Sequence, residues 1–336
     1  PDGYGLLLQD RLFRRHGIDP ATVSPLDRLA VVGDRAIGAL TFRPAEPFEA
    51  TAHAATLLEL AEASHAVYEG GADDLLPMLA SLGGSPHGAR PKVLVHLDPA
   101  GTVRTAPADG FEPWLVKFPM PGEHPETCAL EALWAELAGA CGLDVSRTRH
   151  FELGPSLAAF AAARFDREGD ARVPVQTLAA ALHVDFRLPG AVDYSTYLRA
   201  VRAFTRDQRE VDAAYARAVF DVVFHVRDDH PKNHAFRLSR RGDWRLAPAY
   251  DLTWSSGPGG EHHMDVCGEG REIARGHLLR LAKDGGVERA TAEATIERCV
   301  AVAGEVESRA ASYPIRRASV LEAVNAVEGI RARMAR

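Results

Sequence analysis

The sequence predicts an α+β protein of two lobes, a strand-rich N-terminal lobe followed by an all-helical C-terminal lobe. Three observations carry this. The chain has 336 residues, more than a single hydrophobic core usually organises. Short apolar and alternating runs of strand type cluster between residues 92 and 165. From residue 194 onward the apolar positions recur mainly at helical spacing.

The elements follow in order. Residues 4–17 (YGLLLQDRLFRRHG) repeat apolar positions at helical spacing and stop at Gly17. A second short helix is expected over 21–30. Residues 29–32 and 36–42 read as a hairpin, because Gly33-Asp34 between them tolerates the positive φ of a tight turn. Helices are expected over 51–65 and 73–82. The segment 83–90 (GGSPHGAR) is small and flexible. It leads into a strand, KVLVHL, then a turn at Asp98-Pro99-Ala100-Gly101 and a second strand, PWLVKF. A helix over 123–142 carries Leu130, Leu133 and Leu137 on one face and ends at Gly142. Strands are expected near 148–153 and 157–165. Helices over 194–205 and 208–226 precede a polar loop, 227–233. A hairpin follows (234–238 and 244–248), and helices over 271–283, 287–304 and 314–335 close the chain. The lobes should meet near 166–175, a charged stretch.

Composition excludes several classes. Hydrophobic residues at 46% and a net charge of −7 rule out a mainly disordered chain. No run of 18 apolar residues offers a transmembrane helix. With 46 acidic against 39 basic side chains, strong direct nucleic-acid binding is not expected. Cys128, Cys141, Cys267 and Cys299 lie far apart with no CxxC pair, which argues against a zinc ribbon or disulfide scaffold and for a reducing cytoplasm. The chain opens Pro1-Asp2-Gly3-Tyr4, without Met or a signal-peptide pattern, so an internal start is expected.

Chemistry concentrates in Arg227-Asp228-Asp229-His230-Pro231-Lys232-Asn233. Protein kinases carry an R-D-x-x-x-x-N loop whose Asp takes the proton of the attacking hydroxyl and whose Asn binds magnesium. Asp228 and Asn233 keep that spacing. A loop of this length aims a carboxylate at a nucleophile while an amide oxygen faces the metal. The plain alternative is a solvated polar loop after a helix. Asp251 ends the run WRLAPAYD after a hairpin strand, where a kinase places its second metal-binding carboxylate; a strand-end Asp capping the next turn is the alternative. Lys117 sits among apolar neighbours in PWLVKF, the place of the kinase lysine that holds nucleotide phosphates and pairs with a helix glutamate. Glu131 is its candidate partner, with Glu126 and Glu136 as rivals; an edge-strand lysine facing solvent is the alternative. Backbone amides of 83–90 could cradle phosphates, although no G-x-G-x-x-G is present. The order of these features is that of a protein-kinase-like two-lobe fold.

On these residues the sequence resembles the HipA family of serine/threonine kinases, toxins of type II bacterial toxin–antitoxin modules. The carriers are PDGYGLLLQDRL, VVGDRAIGALTF, GGSPHGARPK, WLVKF, the helix around Glu131, AARFDR, RDDHPKN and RLAPAYDLT, which together span nearly the whole chain. The resemblance implies an N-terminal subdomain (1–80), a kinase-like nucleotide-binding lobe (81–170) and a helical lobe with the catalytic loop and metal-binding Asp (171–336). It implies ATP and Mg2+ as cofactors and Asp228 as catalytic base. Asn233 and Asp251 would bind magnesium. Lys117, Glu131, Ser85, Gly88, Ala89, His230 and Lys232 would belong to the ATP site, with Lys232 toward the γ-phosphate. Ser85 matches the loop serine that such kinases autophosphorylate. The family's substrates are aminoacyl-tRNA synthetases, whose phosphorylation arrests growth and underlies persistence, and its partner is a HipB-like, DNA-binding antitoxin. Two departures stand out. The family loop commonly reads S-x-x-G-A-Q-E-K, whereas this chain has Ser-Pro-His-Gly-Ala-Arg-Pro-Lys. The N-terminal portion is shorter than in full-length members, so it is either trimmed or completed by a separate small protein.

Rival readings are a kinase-fold small-molecule phosphotransferase, which Glu261, Glu269 and Glu272 would suit as an acidic substrate patch, and a non-catalytic antitoxin-binding or co-repressor module. A metal hydrolase built from His230, His234, His262 and His263 lacks an HExxH motif.

Overall fold

The computed structural model describes residues 2–45, 55–71 and 74–335. The chain forms two compact units, Pro1–Cys128 with Arg147–Pro174, and Ala129–Ser146 with Val175–Arg336.

The first unit opens with α1 (Gly3–Arg15), whose Tyr4, Leu8 and Leu12 are buried at helical spacing. Then comes α2 (Pro25–Val32), which meets the short helix expected over 21–30 but runs on through 29–32, where a hairpin strand was expected. The cap explains the difference. The Ser24 side chain accepts from Asp27 N, the Asp27 carboxylate accepts from Ser24 N, and Pro25 stands in the first turn. A short apolar run such as Leu29–Val32 fits helix or strand, and the capping box decides it. The other half of the expected hairpin, 36–42, makes no strand either. Its polar backbone is satisfied by side chains from far along the chain. Arg172 donates to the carbonyls of Asp34, Ala36, Gly38 and Leu40, and Arg167 to those of Ala36 and Gly38. Gly38 N donates to Asp166.

Next come α3 (Leu57–Tyr68), begun by a Thr56–Glu59 capping box, and α4 (Leu76–Gly83). Residues 51–54 and 73 of the two helices expected here lie outside the described residues. The strands are β1 (Lys92–Leu97), β2 (Val103–Arg104) and β3 (Glu112–Lys117). After α5 (Glu126–Ala140), within which the unit boundary falls, come β4 (Thr148–Glu152) and β5 (Ala158–Ala163). They form an antiparallel sheet in the order β2-β1-β3-β5-β4. Its apolar face (Val93, Val95, Val116, Ala161) packs with Leu8, Leu60 and Leu79 of the helices into one core. The small hairpin β6 (Arg167–Glu168) and β7 (Ala171–Arg172) supplies the arginines that hold 34–40.

The second unit contains β8 (Val175–Thr177), α6 (Leu178–Leu182), α7 (Tyr194–Thr205), α8 (Gln208–Val223), β9 (Ala235–Leu238), β10 (Trp244–Leu246), α9 (Arg275–Gly285), α10 (Arg289–Ala303), α11 (Val306–Ala310) and α12 (Arg317–Met334). The β9–β10 hairpin gains a third strand, β8, which the sequence did not show because three half-buried residues carry too little pattern. Helix α8 is the centre of this core: Val211, Ala214, Tyr215, Ala218, Val219 and Phe220 are fully buried, and α7, α9, α10 and α12 pack around it. Trp134 of α5 is wholly buried there and its indole donates to Phe224 O at 2.9 Å.

Candidate functional site

The loop 227–233 leaves α8 through Phe224 and His225, the latter in the left-handed region at φ 58°. Its turn is closed by Asn233 N donating to His230 O at 2.8 Å. The Asn233 side-chain NH2 donates to Asp228 O at 2.8 Å. That bond fixes the amide and leaves its oxygen to accept from another group. The Asp228 side chain is 67% exposed, and His230 Nε2 lies 4.0 Å from its Oδ1. Lys232 Nζ lies 4.0 Å from the centre of the Phe186 ring, and His230 meets the same ring edge-on. Asp251, five residues beyond β10, is exposed at φ 56°, a conformation that Asp tolerates better than most residues.

Asp229, which sequence reasoning passed over, is the loop's anchor. It is fully buried and accepts from Tyr194 Oη, His262 Nδ1 and His263 N, each at 2.7 Å. Burial alone would raise its carboxyl; the charge and hydrogen bond of His262, with the bonds from Tyr194 and His263, outweigh burial and hold it below the usual carboxylate value. Tyr194 Oη also lies 3.1 Å from Asp221, which is clasped by Arg217 Nε at 2.8 Å. Burial raises Asp221 to about 6 against the pull of Arg217. Arg217 reaches on to Tyr250 O at 3.3 Å, and the Tyr250 hydroxyl donates to Lys232 O at 2.6 Å. A hydrogen-bonded ring thus leaves the loop at Asp229 and returns to it at Lys232, passing the residue before Asp251. Its members are spread over 194–250, and no local spacing announces them.

Of the sequence-predicted residues in this unit, the fold brings Asp228, His230, Lys232 and Asn233 together on one loop and ties Asp251's neighbour to it. Glu131 is buried on α5. Its rival Glu136 is engaged by Arg309 at 2.6 Å and Tyr313 Oη at 2.8 Å. Of the acidic patch considered above, Glu261 pairs with Arg271 and Glu272 with Arg333, while Glu269 accepts from Arg271 N and Glu272 N. His262 is committed to Asp229. His234 packs against Tyr197, and burial lowers its pKa to about 3.

In the first unit, Lys117 lies on β3 between β1 and β5, so it is not on an edge strand. It stands in register with Lys92 on one side and Phe160 on the other, with Nζ 5.9 Å from the Phe160 ring. Lys92 is buried and donates to His87 O. The segment 83–90, expected to be a flexible cradle, is tied down. Gly88 N donates to Asp2 at 2.8 Å, Tyr4 N to Gly88 O at 3.0 Å, and Tyr68 Oη to Ala89 O at 2.6 Å. Arg90 pairs with Glu123. Ser85 Oγ accepts from Ile37 N at 2.9 Å.

A curled antiparallel sheet in one unit, and in the other a helical body carrying an Asp–Asn loop with a second Asp after a hairpin, define a protein of the kinase-like fold class. Comparison with known proteins narrows this. The family model of the HipA-like C-terminal domain matches residues 84–306, and the chain belongs to that family. No curated protein matches it in sequence. Among solved structures it is similar to a chain of the Shewanella oneidensis MR-1 toxin–antitoxin complex of HipA, HipB and operator DNA, at TM-score 0.72 and 18% identity, over 99% of this chain and 82% of that one. It is also similar to the Helicobacter pylori proinflammatory kinase CtkA, at TM-score 0.51 and 12% identity, over 74% of this chain and 90% of that one. At these identities the likeness is one of fold.

Proposed function

We propose that this HipA-family chain is an ATP-dependent serine/threonine kinase that transfers the γ-phosphate to a protein hydroxyl and to its own Ser85. The observation that carries the reading is the Asn233-to-Asp228 bond. It sets an exposed carboxylate and a fixed amide oxygen on one short loop. Asp228 accepts the proton of the attacking hydroxyl. Asn233 Oδ1 and the Asp251 carboxylate are hard oxygen donors and suit magnesium, which when bound supplies neutralisation of phosphate charge. The family resemblance assigns Lys117 and the 83–90 segment of the first unit to the nucleotide phosphates, and Glu131, His230 and Lys232 of the second unit to nucleotide binding.

Phosphorylation of Ser85 would add about −1.5 to −2 charges beside Arg90 and Lys92 and displace Ile37 N. By the family's habit the protein substrate is an aminoacyl-tRNA synthetase and the outcome growth arrest. The Shewanella relative is described with HipB and operator DNA, which supports a HipB-like antitoxin as this chain's partner.

The test is transfer of labelled γ-phosphate from Mg-ATP by phosphatase-treated wild type and Asp228→Ala, with mass spectrometry of the product. Label on Ser85 that disappears in the variant supports the reading. No label in either protein, with no transfer to added protein, favours the small-molecule phosphotransferase or the non-catalytic antitoxin-binding module.

A further inference from the structure

We propose that Tyr250 is a positioning residue for the metal site, and that its hydroxyl rather than its ring ties the Asn233 segment to the Asp251 segment. The inference rests on the magnesium reading above. Asp251 and Asn233 come from different segments, and an ion that takes only two protein ligands depends on those segments being held together. Tyr250 makes the tie. Its backbone immediately precedes Asp251, its carbonyl is held by Arg217, and its hydroxyl donates to the carbonyl that immediately precedes Asn233.

The tie is braced from inside. Arg217 is buried and fixed by both oxygens of Asp221. Asp221 connects through Tyr194 to Asp229, at the opposite end of the same loop. The ring therefore closes on the catalytic loop, and Tyr250 Oη is the contact by which it reaches Lys232. Deleting that hydroxyl leaves the helices, the core and every charged member intact. It loosens the approach of the Asn233 segment to the Asp251 segment.

The expected effect is on metal affinity more than on turnover. One neutral hydrogen bond is worth roughly threefold to tenfold in an equilibrium. Tyr250→Phe should raise the Mn2+ concentration for half-saturation by that factor, read by electron paramagnetic resonance of free Mn2+ in the presence of ATP. Phosphate transfer at saturating metal should stay within about twofold of wild type, the split that positioning rather than chemistry produces. Hydrogen exchange at the Asn233 amide, which closes the turn onto His230 O, should quicken in the variant even without metal.

Tyr313→Phe is the control. It loses a comparable hydroxyl bond, to Glu136 in the same unit, and should leave Mn2+ binding unchanged. Unchanged Mn2+ binding in Tyr250→Phe, alongside loss of binding in Asp251→Asn, overturns the positioning role and leaves the metal site standing. Unchanged binding in Asp251→Asn as well overturns the magnesium reading, and the positioning role with it.

Discussion

Asp229→Asn is the sharpest test of the idea that the 227–233 loop is held from beneath. The wild-type carboxylate is fully buried and takes three hydrogen bonds at 2.7 Å, from Tyr194 Oη, His262 Nδ1 and His263 N. An asparagine keeps one oxygen for His263 N, but its NH2 then faces two donors. Two charge-assisted bonds are lost, each worth about 1.5–3 kcal/mol, so the variant should lose roughly 3–5 kcal/mol. For a unit of this size that corresponds to about 6–20 °C in melting temperature. Differential scanning calorimetry at pH 7 measures it. The pH dependence supplies a second signature. The folded-state pKa of Asp229 lies below its ordinary value, so its stabilisation is present above the unfolded pKa and lost as pH falls through the folded one. Wild type should therefore lose stability on acidification below about pH 4, and Asp229→Asn should lose less there. A variant melting within about 2 °C of wild type at pH 7 would refute the anchoring argument.

Other expectations follow from the same geometry. Asp221 has the opposite sign: burial raises it to about 6, so its contribution to stability falls as pH rises between its unfolded value, near 4, and 6. Asp221→Asn should flatten that stretch of the stability–pH curve, and an unchanged slope in a urea titration would contradict the assignment. Trp134→Ala removes a wholly buried indole and its bond to Phe224 O, and should cost about 3–5 kcal/mol by chemical denaturation. Arg172→Ala strips bonds from four carbonyls of the 34–40 segment, which also covers Ser85 through Ile37 N. Limited proteolysis should then cut near residue 38 sooner, and Ser85 should label faster with Mg-ATP. Equal rates for both proteins would show that the segment does not guard the serine.

Much of the candidate site could be read without coordinates. The spacing of Asp228 and Asn233, the Asp after a hairpin strand and the lysine inside a strand are local patterns, and the fold keeps each on the kind of element the pattern implied. Lys117 gained from the structure, because only the pairing of β3 with both β1 and β5 tells a central strand from an edge. The hairpin over 29–42 failed for a physical reason also visible locally: Ser24, Pro25 and Asp27 form a helix start that outweighs an ambiguous apolar run. The acidic patch carries less free charge than the sequence suggests, because composition shows Glu261 and Glu272 but not the arginines facing them.

The sequence by itself determined the two-part α+β architecture, the helices with their caps and the short-range Asp–Asn pattern of the loop. Those depend on neighbours within a few residues, through periods of 3.6 and 2 and through capping side chains. Only the tertiary structure decided what holds the pattern in place. Gly38 meets Asp166 across 128 residues, Tyr194 meets Asp229 across 35, and Arg217 meets Tyr250 across 33. Such contacts satisfy backbone and charged groups that burial cuts off from water, and the partners are chosen by proximity in space. No periodicity encodes that proximity, so the Asp–Asn loop was legible from the sequence and the ring beneath it was not.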